Sequence, residues 1–353
     1  MSDLTQGQHA IKLENNSFID SKTGQTILPS LMTKEQEEMF SIHQNKFLKG
    51  ESLRDSIARV KSYEIADQYL TTFVNLEDTD IYYLKFIAMF KSVQQLQLIR
   101  QTALFPMIYG RAHLRDSLKR LIVNGLIWRW TYRHPVYNDD VNVYTLSGNG
   151  YRFLETIYGQ EYYFHPQNFY SLPDYFHIRF WETVDIYQLC VSLPAFHGAT
   201  HLYTGHRKLI SSPLQVALEM APGQIRNFVF YPTLQRDKDS YYKEVILLWN
   251  KFTNEGQELD QPVNGLPGAQ NVLAFYTSTV KAAEELTQRL NLGAFSFPIV
   301  FMIGSVIGKL GVAKSFFAPL LNTSKDENGP WIKQMEFDSI LAERSNYESH
   351  EES

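Results

Sequence analysis

The chain has 353 residues, of which 44% are hydrophobic and 20% are charged, and its formal net charge is −5. This length excludes a single small domain and predicts two or three, with the ordinary composition of a soluble globular protein. The single cysteine, Cys190, excludes an internal disulfide, and its apolar neighbours place it in a core. Together with an N-terminus that lacks an apolar signal-peptide core, this usage predicts a cytoplasmic protein.

The first 79 residues are expected to precede the main domains. Positions 1–32 are polar and predict a flexible arm or a small hairpin. Thr33 and Gln36 match a capping box that opens a helical region over 33–79, with a second helix over 52–73. This region is expected either to form a homodimer interface or to pack within the monomer.

The stretch 80–160 opens with two predicted helices. Apolar residues recur at three- and four-residue spacing over 81–90, which indicates an amphipathic helix. Ser92 followed by Gln95 matches a capping box, so Ser92 is predicted to begin the second helix.

A third helix is predicted over 111–123. Leu114, Leu118 and Leu121 recur as one apolar stripe along it. The helix is expected to end at Gly125, because glycine readily adopts the left-handed conformation of helix C-caps.

A hairpin and a closing helix are predicted next. The strands are expected over 126–132 and 141–146, and Ser147 is expected to cap a helix over 151–157. The first strand alternates so that Trp128, Trp130 and Tyr132 share one face. Three helices, a hairpin and a helix in about eighty residues are the order of a winged helix-turn-helix, which lays one helix in the DNA major groove.

Basic residues concentrate in this module. Positions 80–159 carry ten Lys or Arg against five Asp or Glu, a net charge of +5, whereas the rest of the chain sums to −10. A basic patch on an acidic protein is the expected footprint of double-stranded DNA binding, because phosphates attract such residues. The expected DNA contacts lie on the third helix and near the wing: Arg111, Arg115, Lys119, Arg120, Arg129 and Arg133.

A protein-interaction module is the alternative for the same stretch, in which these charges merely solvate an exposed face. Asp139 and Asp140 at the predicted wing tip also disfavour a wing that grips phosphates closely.

A second, α/β domain is predicted over 170–321. Strand-like and helical segments alternate there, which indicates a central mixed sheet. The predicted helices cover 177–193, 240–252 and a stretch from Thr277 or Ser278 to 290, and the predicted strands cover 214–218, 227–231, 271–276 and 297–303.

Two charge patterns complete this part of the chain. Positions 291–308 carry no charge, but their glycines, serines and proline favour a buried strand and a glycine-rich turn over a membrane helix. The acidic positions 336–353 predict a disordered tail.

The order of winged helix, connector and small α/β domain resembles the replication-relaxation family of plasmids and integrative elements of Gram-positive bacteria. The resemblance covers about 80–290, and it rests on the winged helix, the helix that begins at His177 and the strand-helix pair over 226–252. It implies a restriction-endonuclease-like fold for the second domain, and some members of the family are relaxases that nick DNA at a transfer origin.

A nuclease of this kind needs carboxylates on two neighbouring strands to hold Mg²⁺. The corresponding positions here are neutral: Leu214, Gln215, Tyr231, Thr233 and Gln235. Glu219 and Asp237 are the nearest acids, but both flank the predicted strands. No catalytic residue is therefore assigned.

Three histidines raise the question of a metal site. His197, His201 and His206 lie close together in the sequence. Glycines and a proline interrupt this stretch, and no carboxylate or cysteine lies among them, so ordinary loop histidines are predicted rather than a zinc site.

The sequence predicts an α+β protein that binds DNA for a plasmid or conjugative element, acting in replication, transfer or its regulation. Replication or transfer proteins are expected partners, and no cofactor, metal or membrane association is expected. The alternatives are a metal-dependent relaxase or nickase and a winged-helix transcriptional regulator.

Overall fold

The computed structural model describes two short strands, β1 (Phe18–Ile19) and β2 (Thr26–Leu28), and most of the chain after residue 50. The described ranges there are 51–104, 111–133, 140–159, 165–173, 176–200, 214–234, 237–254, 266, 269–321 and 330–335. The helix predicted to open at Thr33, the wing tip up to Asp139 and the acidic tail lie outside these ranges. The chain divides into two compact units, and the division follows Val184.

The first unit contains the described residues from Glu51 to Val184 and combines helices with a small sheet. Its elements in chain order are α1 (Leu53–Arg59), α2 (Ala66–Val74), α3 (Asp78–Phe90), β3 (Ser92–Gln94), α4 (Gln95–Leu104), α5 (Arg111–Val123), β4 (Ile127–Arg133), β5 (Asp140–Leu146), α6 (Gly148–Tyr158), a 3-10 turn (Pro166–Tyr170) and the first half of α7 (His177–Val191). The three strands form an antiparallel sheet in the order β3-β5-β4.

The single helix predicted over 52–73 is wrong, because α1 and α2 are separate. In the segment between them, a backbone N–H bonds to a distant side chain and not within a helix: the Tyr63 N–H donates to Asn149 Oδ1 at 2.9 Å. The change of direction leaves two apolar residues of this stretch on the surface, Ile65 at 59% exposure and Phe73 at 44%.

The capping prediction at Ser92 is also wrong, because Ser92 lies in β3. The helix begins later, and the Gln97 side chain accepts a hydrogen bond from the Gln94 N–H at 3.0 Å, so the cap is displaced along the chain. Ser92 Oγ instead accepts a bond from Trp181 Nε1 (3.0 Å) and pairs with His177 Nδ1 (2.8 Å).

The aromatic face predicted for β4 is confirmed and buried. Trp128, Trp130 and Tyr132 are each less than 9% exposed. The Trp130 ring packs edge-on against His177 at 4.8 Å, and the Tyr132 ring packs against Trp181 at 5.2 Å. Burial lowers the pKa of His177 to about 3, so its ring is neutral at physiological pH.

The predicted end of α5 is confirmed. Gly125 has a φ of +64°. Its N–H donates to the Ile122 carbonyl and the Leu126 N–H donates to the Leu121 carbonyl, both at 2.9 Å, which is a Schellman motif. The chain therefore turns from α5 directly into β4.

The predicted cap of α6 is confirmed as well, although the helix begins at Gly148 rather than near 151. Ser147 Oγ accepts a hydrogen bond from the Gly150 N–H (3.0 Å) and donates to the Gly125 carbonyl (2.6 Å). The cap thus ties α6 to the turn that ends α5.

The second unit contains β1 and β2 and the described residues from Asp185 onward. Its further elements are the second half of α7, β6 (Phe196–Thr200), β7 (Leu214–Ala221), β8 (Gln224–Pro232), α8 (Asp239–Asn254), β9 (Gln270–Thr277), α9 (Val280–Leu290), a 3-10 turn (Leu292–Ala294), β10 (Ile299–Ile303), α10 (Gly304–Leu310), a 3-10 turn (Val312–Lys314), β11 (Phe316–Pro319) and β12 (Ile332–Gln334).

A seven-stranded sheet organises this unit, in the order β12-β11-β10-β9-β8-β7-β6. The pairs β8-β9 and β9-β10 are parallel and the others are antiparallel, so the predicted mixed sheet is confirmed. Helices α8 and α9 pack on one face, and the second half of α7 packs on the other. Helix α10 contributes Val306 to the first core and Ile307 to the second. Cys190 is fully buried in the latter core, as predicted, and burial raises the pKa of its thiol to about 12.

Several boundaries in this unit differ from the predictions. Strand β7 extends to Ala221 and so includes Glu219, which was predicted to flank the strand. Thr279, rather than Thr277 or Ser278, caps α9 by accepting a bond from the Ala282 N–H. The predicted strand over 297–303 is confirmed as buried β10, but α10 follows it where a glycine-rich turn was predicted. A side chain at Gly304 would lie 2.7 Å from the Tyr276 hydroxyl, so this glycine allows close helix packing.

The described residues therefore form an α+β protein, as predicted. Among the helices of the described ranges, none is long and apolar enough to cross a membrane.

Candidate nucleic-acid interface

Helix α5 has one buried and one exposed face. The predicted stripe of Leu114, Leu118 and Leu121 is confirmed, since each is at most 1% exposed. Arg115 and Lys119 lie on the exposed side, one helical turn apart. The helix therefore presents two basic side chains to solvent while its other face anchors it to the unit.

Acidic and neutral side chains accompany these two cations. His113 and Asp116 are also exposed on α5, and Val123 is 76% exposed near its end. Asp116 contributes one negative charge, so the described exposed part of the helix has a small net positive charge. Such a surface suits contact with a phosphate backbone at moderate strength.

Arg120, which was predicted to contact DNA, is engaged in an ion pair instead. Its Nε lies 2.7 Å from Asp80 Oδ2, and its Nη2 lies 2.9 Å from Asp80 Oδ1. The same Nη2 lies 2.8 Å from Glu77 Oε2. The hydrogen bonds to Asp80, with the nearby charges, raise the pKa of Arg120.

This ion pair joins α5 to the start of α3. Asp80 is fully buried, and its Oδ2 also accepts a hydrogen bond from the Glu77 N–H at 2.9 Å. The Arg120 side chain is 30% exposed. Arg120 therefore orients α5, and its guanidinium is held by the two acids at the start of α3.

Arg129 is not on the surface either, contrary to the prediction. It is fully buried, and its Nη2 donates to Asn142 Oδ1 on the neighbouring strand at 2.6 Å. Its charge also opposes the rise in the pKa of Glu51 that burial causes. Arg129 is therefore a core residue of the hairpin.

Two further contacts were predicted at the ends of α5 and β4. Arg111 begins α5 and Arg133 ends β4, but both side chains lie outside the described part of the structure. The acids that pair with Arg120 were not predicted from the sequence. Glu77 and Asp80, three residues apart before an apolar run, form a helix N-terminus signal that could have identified them.

The histidine and carboxylates of the second unit have structural partners. His197 lies in β6 rather than in the predicted loop, and its Nε2 lies 3.2 Å from Glu219 Oε2. Glu219 Oε1 accepts a bond from the Gly223 N–H, which lowers the pKa of Glu219. Asp237 Oδ2 accepts a bond from the Leu234 N–H at 2.7 Å, so it closes the turn before α8.

The strand positions where nuclease carboxylates were sought carry neutral side chains. Leu214 and Gln215 are buried in β7, and Tyr231 is buried in β8. Gln235 and the two further histidines, His201 and His206, lie outside the described ranges. Within those ranges, no three histidine, cysteine or acidic side chains lie close enough together to hold a metal ion.

Comparisons with protein-family models, with curated proteins and with solved structures found no match for this chain.

Proposed function

We propose that the first unit is a winged helix-turn-helix module that binds double-stranded DNA through α5. Modules of this class have the element order found here, α3, β3, α4, α5, β4 and β5, and the same strand order in the sheet, β3-β5-β4. The observation that carries the proposal is the exposure of Arg115 and Lys119 opposite the buried leucine stripe of α5.

The proposed contact set is narrower than the predicted one. Arg115 and Lys119 supply phosphate or base contacts, and Arg111 and Arg133 remain predictions. Arg120 and Arg129 act within the fold. A role in the replication, transfer or regulation of a plasmid or conjugative element rests on the family resemblance and is part of the proposal.

The double substitution Arg115→Ala and Lys119→Ala is expected to weaken binding to a random-sequence duplex. Each lost phosphate contact removes about 0.9 from the slope of log K against log salt, so the slope is expected to fall by about 2. Fluorescence anisotropy of a labelled duplex at several salt concentrations measures both effects.

Lys309→Ala and Lys314→Ala provide the matched control, since both lysines are exposed in the second unit and the charge change is the same. The control is expected to keep wild-type affinity and salt slope. Unchanged affinity in the α5 double variant would contradict the proposal and favour a protein-interaction module.

We further propose that the second unit does not cleave DNA. The elements of this unit follow the order of a restriction-endonuclease-like core: α7, β6, β7, β8, α8 and β9. The four strands are neighbours in the sheet, which supports that part of the resemblance. However, phosphodiester cleavage needs carboxylates around Mg²⁺, and the strand positions carry Leu214, Gln215 and Tyr231.

Supercoiled DNA that carries an origin from the host element is expected to stay intact with Mg²⁺ or Mn²⁺. Agarose gels of reactions with the wild type, Glu219→Ala and Asp237→Ala measure this result. Metal-dependent nicking that either substitution abolishes would favour the relaxase alternative.

A further inference from the structure

A cavity of about 170 Å³ lies within the first unit, between the loop that follows α1, the start of α6 and the 3-10 turn. Its volume is below the roughly 300–1,000 Å³ of sites for drug-sized ligands, so it suits a small group. Trp128 contributes part of an apolar wall, and Arg152 and His165 contribute basic side chains. The lining of this described cavity includes no carboxylate.

The two basic side chains can act as hydrogen-bond donors. Arg152 is exposed and has no ion pair among the described residues. His165 Nδ1 accepts a hydrogen bond from the Gln167 N–H at 3.2 Å. That bond leaves the proton of the neutral ring on Nε2, where it can be donated.

The N-terminus of α6 contributes backbone donors. The Ser147 hydroxyl caps the Gly150 N–H, whereas the N–H groups of Gly148 and Asn149 have no acceptor among the described residues. Space is also open over Gly148, where an added Cβ would meet no atom within 4 Å. Helix N-termini with unsatisfied N–H groups attract anions.

Trp128 forms part of the apolar wall and is 5% exposed. The cavity therefore combines several donors of different kinds without an acid that would repel an anion.

We propose that this cavity binds a phosphate group, with Arg152, His165 and the first N–H groups of α6 as donors. A tetrahedral oxyanion offers enough acceptors for a guanidinium fork, an imidazole and backbone N–H groups together. The phosphate can belong to a small phosphorylated compound or to a nucleic-acid backbone. The site does not depend on DNA binding through α5.

Calorimetric titration of the full chain with inorganic phosphate tests the site. We expect saturable binding to one site, weakened at least about tenfold in Arg152→Ala because a charge-assisted donor is lost. Arg54→Ala is the matched control, because Arg54 is exposed on α1 and does not line the cavity, and it is expected to bind as the wild type does.

Two outcomes would overturn the proposal: an absence of saturable phosphate binding to the wild type, or equal binding by Arg152→Ala and the wild type. His165→Ala gives a second measurement on the same site and is expected to weaken phosphate binding as well.

The source of the phosphate is distinguished by measuring duplex affinity for the same variants. A nucleic-acid backbone as the source predicts that Arg152→Ala weakens duplex binding and that inorganic phosphate competes with the duplex. A small phosphorylated compound as the source predicts unchanged duplex affinity in Arg152→Ala, together with the loss of phosphate binding.

Discussion

Gly150→Ala is expected to destabilise the first unit by at least about 3 kcal/mol. An added Cβ would lie 2.1 Å from the Leu126 carbonyl oxygen and 2.8 Å from Leu146 Cδ1. The Leu126 carbonyl cannot move away freely, because it accepts a hydrogen bond from the Ser147 N–H at 3.0 Å. The clash therefore forces α6 away from the turn that joins α5 to β4.

Gly148→Ala is the matched control in the same helix, since nothing lies within 4 Å of the added Cβ. Its effect is expected to be neutral, or stabilising by up to about 1 kcal/mol, because alanine favours the helix over glycine. Hydrogen-deuterium exchange of the β4 and β5 amides during denaturant titration measures the first unit separately from the second. Equal stability of the two variants would contradict the close approach of α6.

Asp80→Ala is expected to destabilise the first unit by about 3 kcal/mol. The substitution leaves the Arg120 guanidinium without its buried partner and removes the acceptor of the Glu77 N–H. Partial exposure of Arg120, at 30%, keeps the loss near the lower end of the range for buried ion pairs. Since the ion pair orients α5, duplex affinity is also expected to fall.

Asp78→Ala is the control for Asp80→Ala, because Asp78 is an exposed acid in the same helical turn. It is expected to cost less than about 1 kcal/mol, as a charge near the helix N-terminus does. A double-mutant cycle of Asp80→Ala with Arg120→Ala is expected to give a coupling of about 2 kcal/mol. A coupling near zero would show that the two side chains stabilise the fold independently.

Local patterns predicted those features whose cause lies within a few residues. The leucine stripe of α5, the glycine at its end and the cap at Ser147 follow from helix periodicity and from backbone preferences. The mixed sheet of the second unit follows from the alternation of strand and helix segments. None of these features requires knowledge of a distant contact.

The roles of individual charges could not be predicted in the same way. The basic residues of α5 form the same pattern in the sequence whether their side chains are exposed to solvent or paired with a buried acid. Arg120 lies 40 residues from Asp80 in sequence, and Arg129 lies 13 residues from Asn142, and these contacts remove both from the surface. The burial of the aromatic face of β4 likewise depends on α7, which follows it in sequence.

Sequence periodicity fixed which residues of α5 face the core, since 3.6 residues per turn is a property of the helix alone. Long-range packing determined which of its arginines remain on the surface. The buried carboxylate of Asp80 needs a cation as its partner, and the fold brings Arg120 next to it. The same packing formed the cavity beside α6, whose lining comes from segments more than a hundred residues apart, between Ile57 and Tyr170. No local pattern encodes a cavity of this kind.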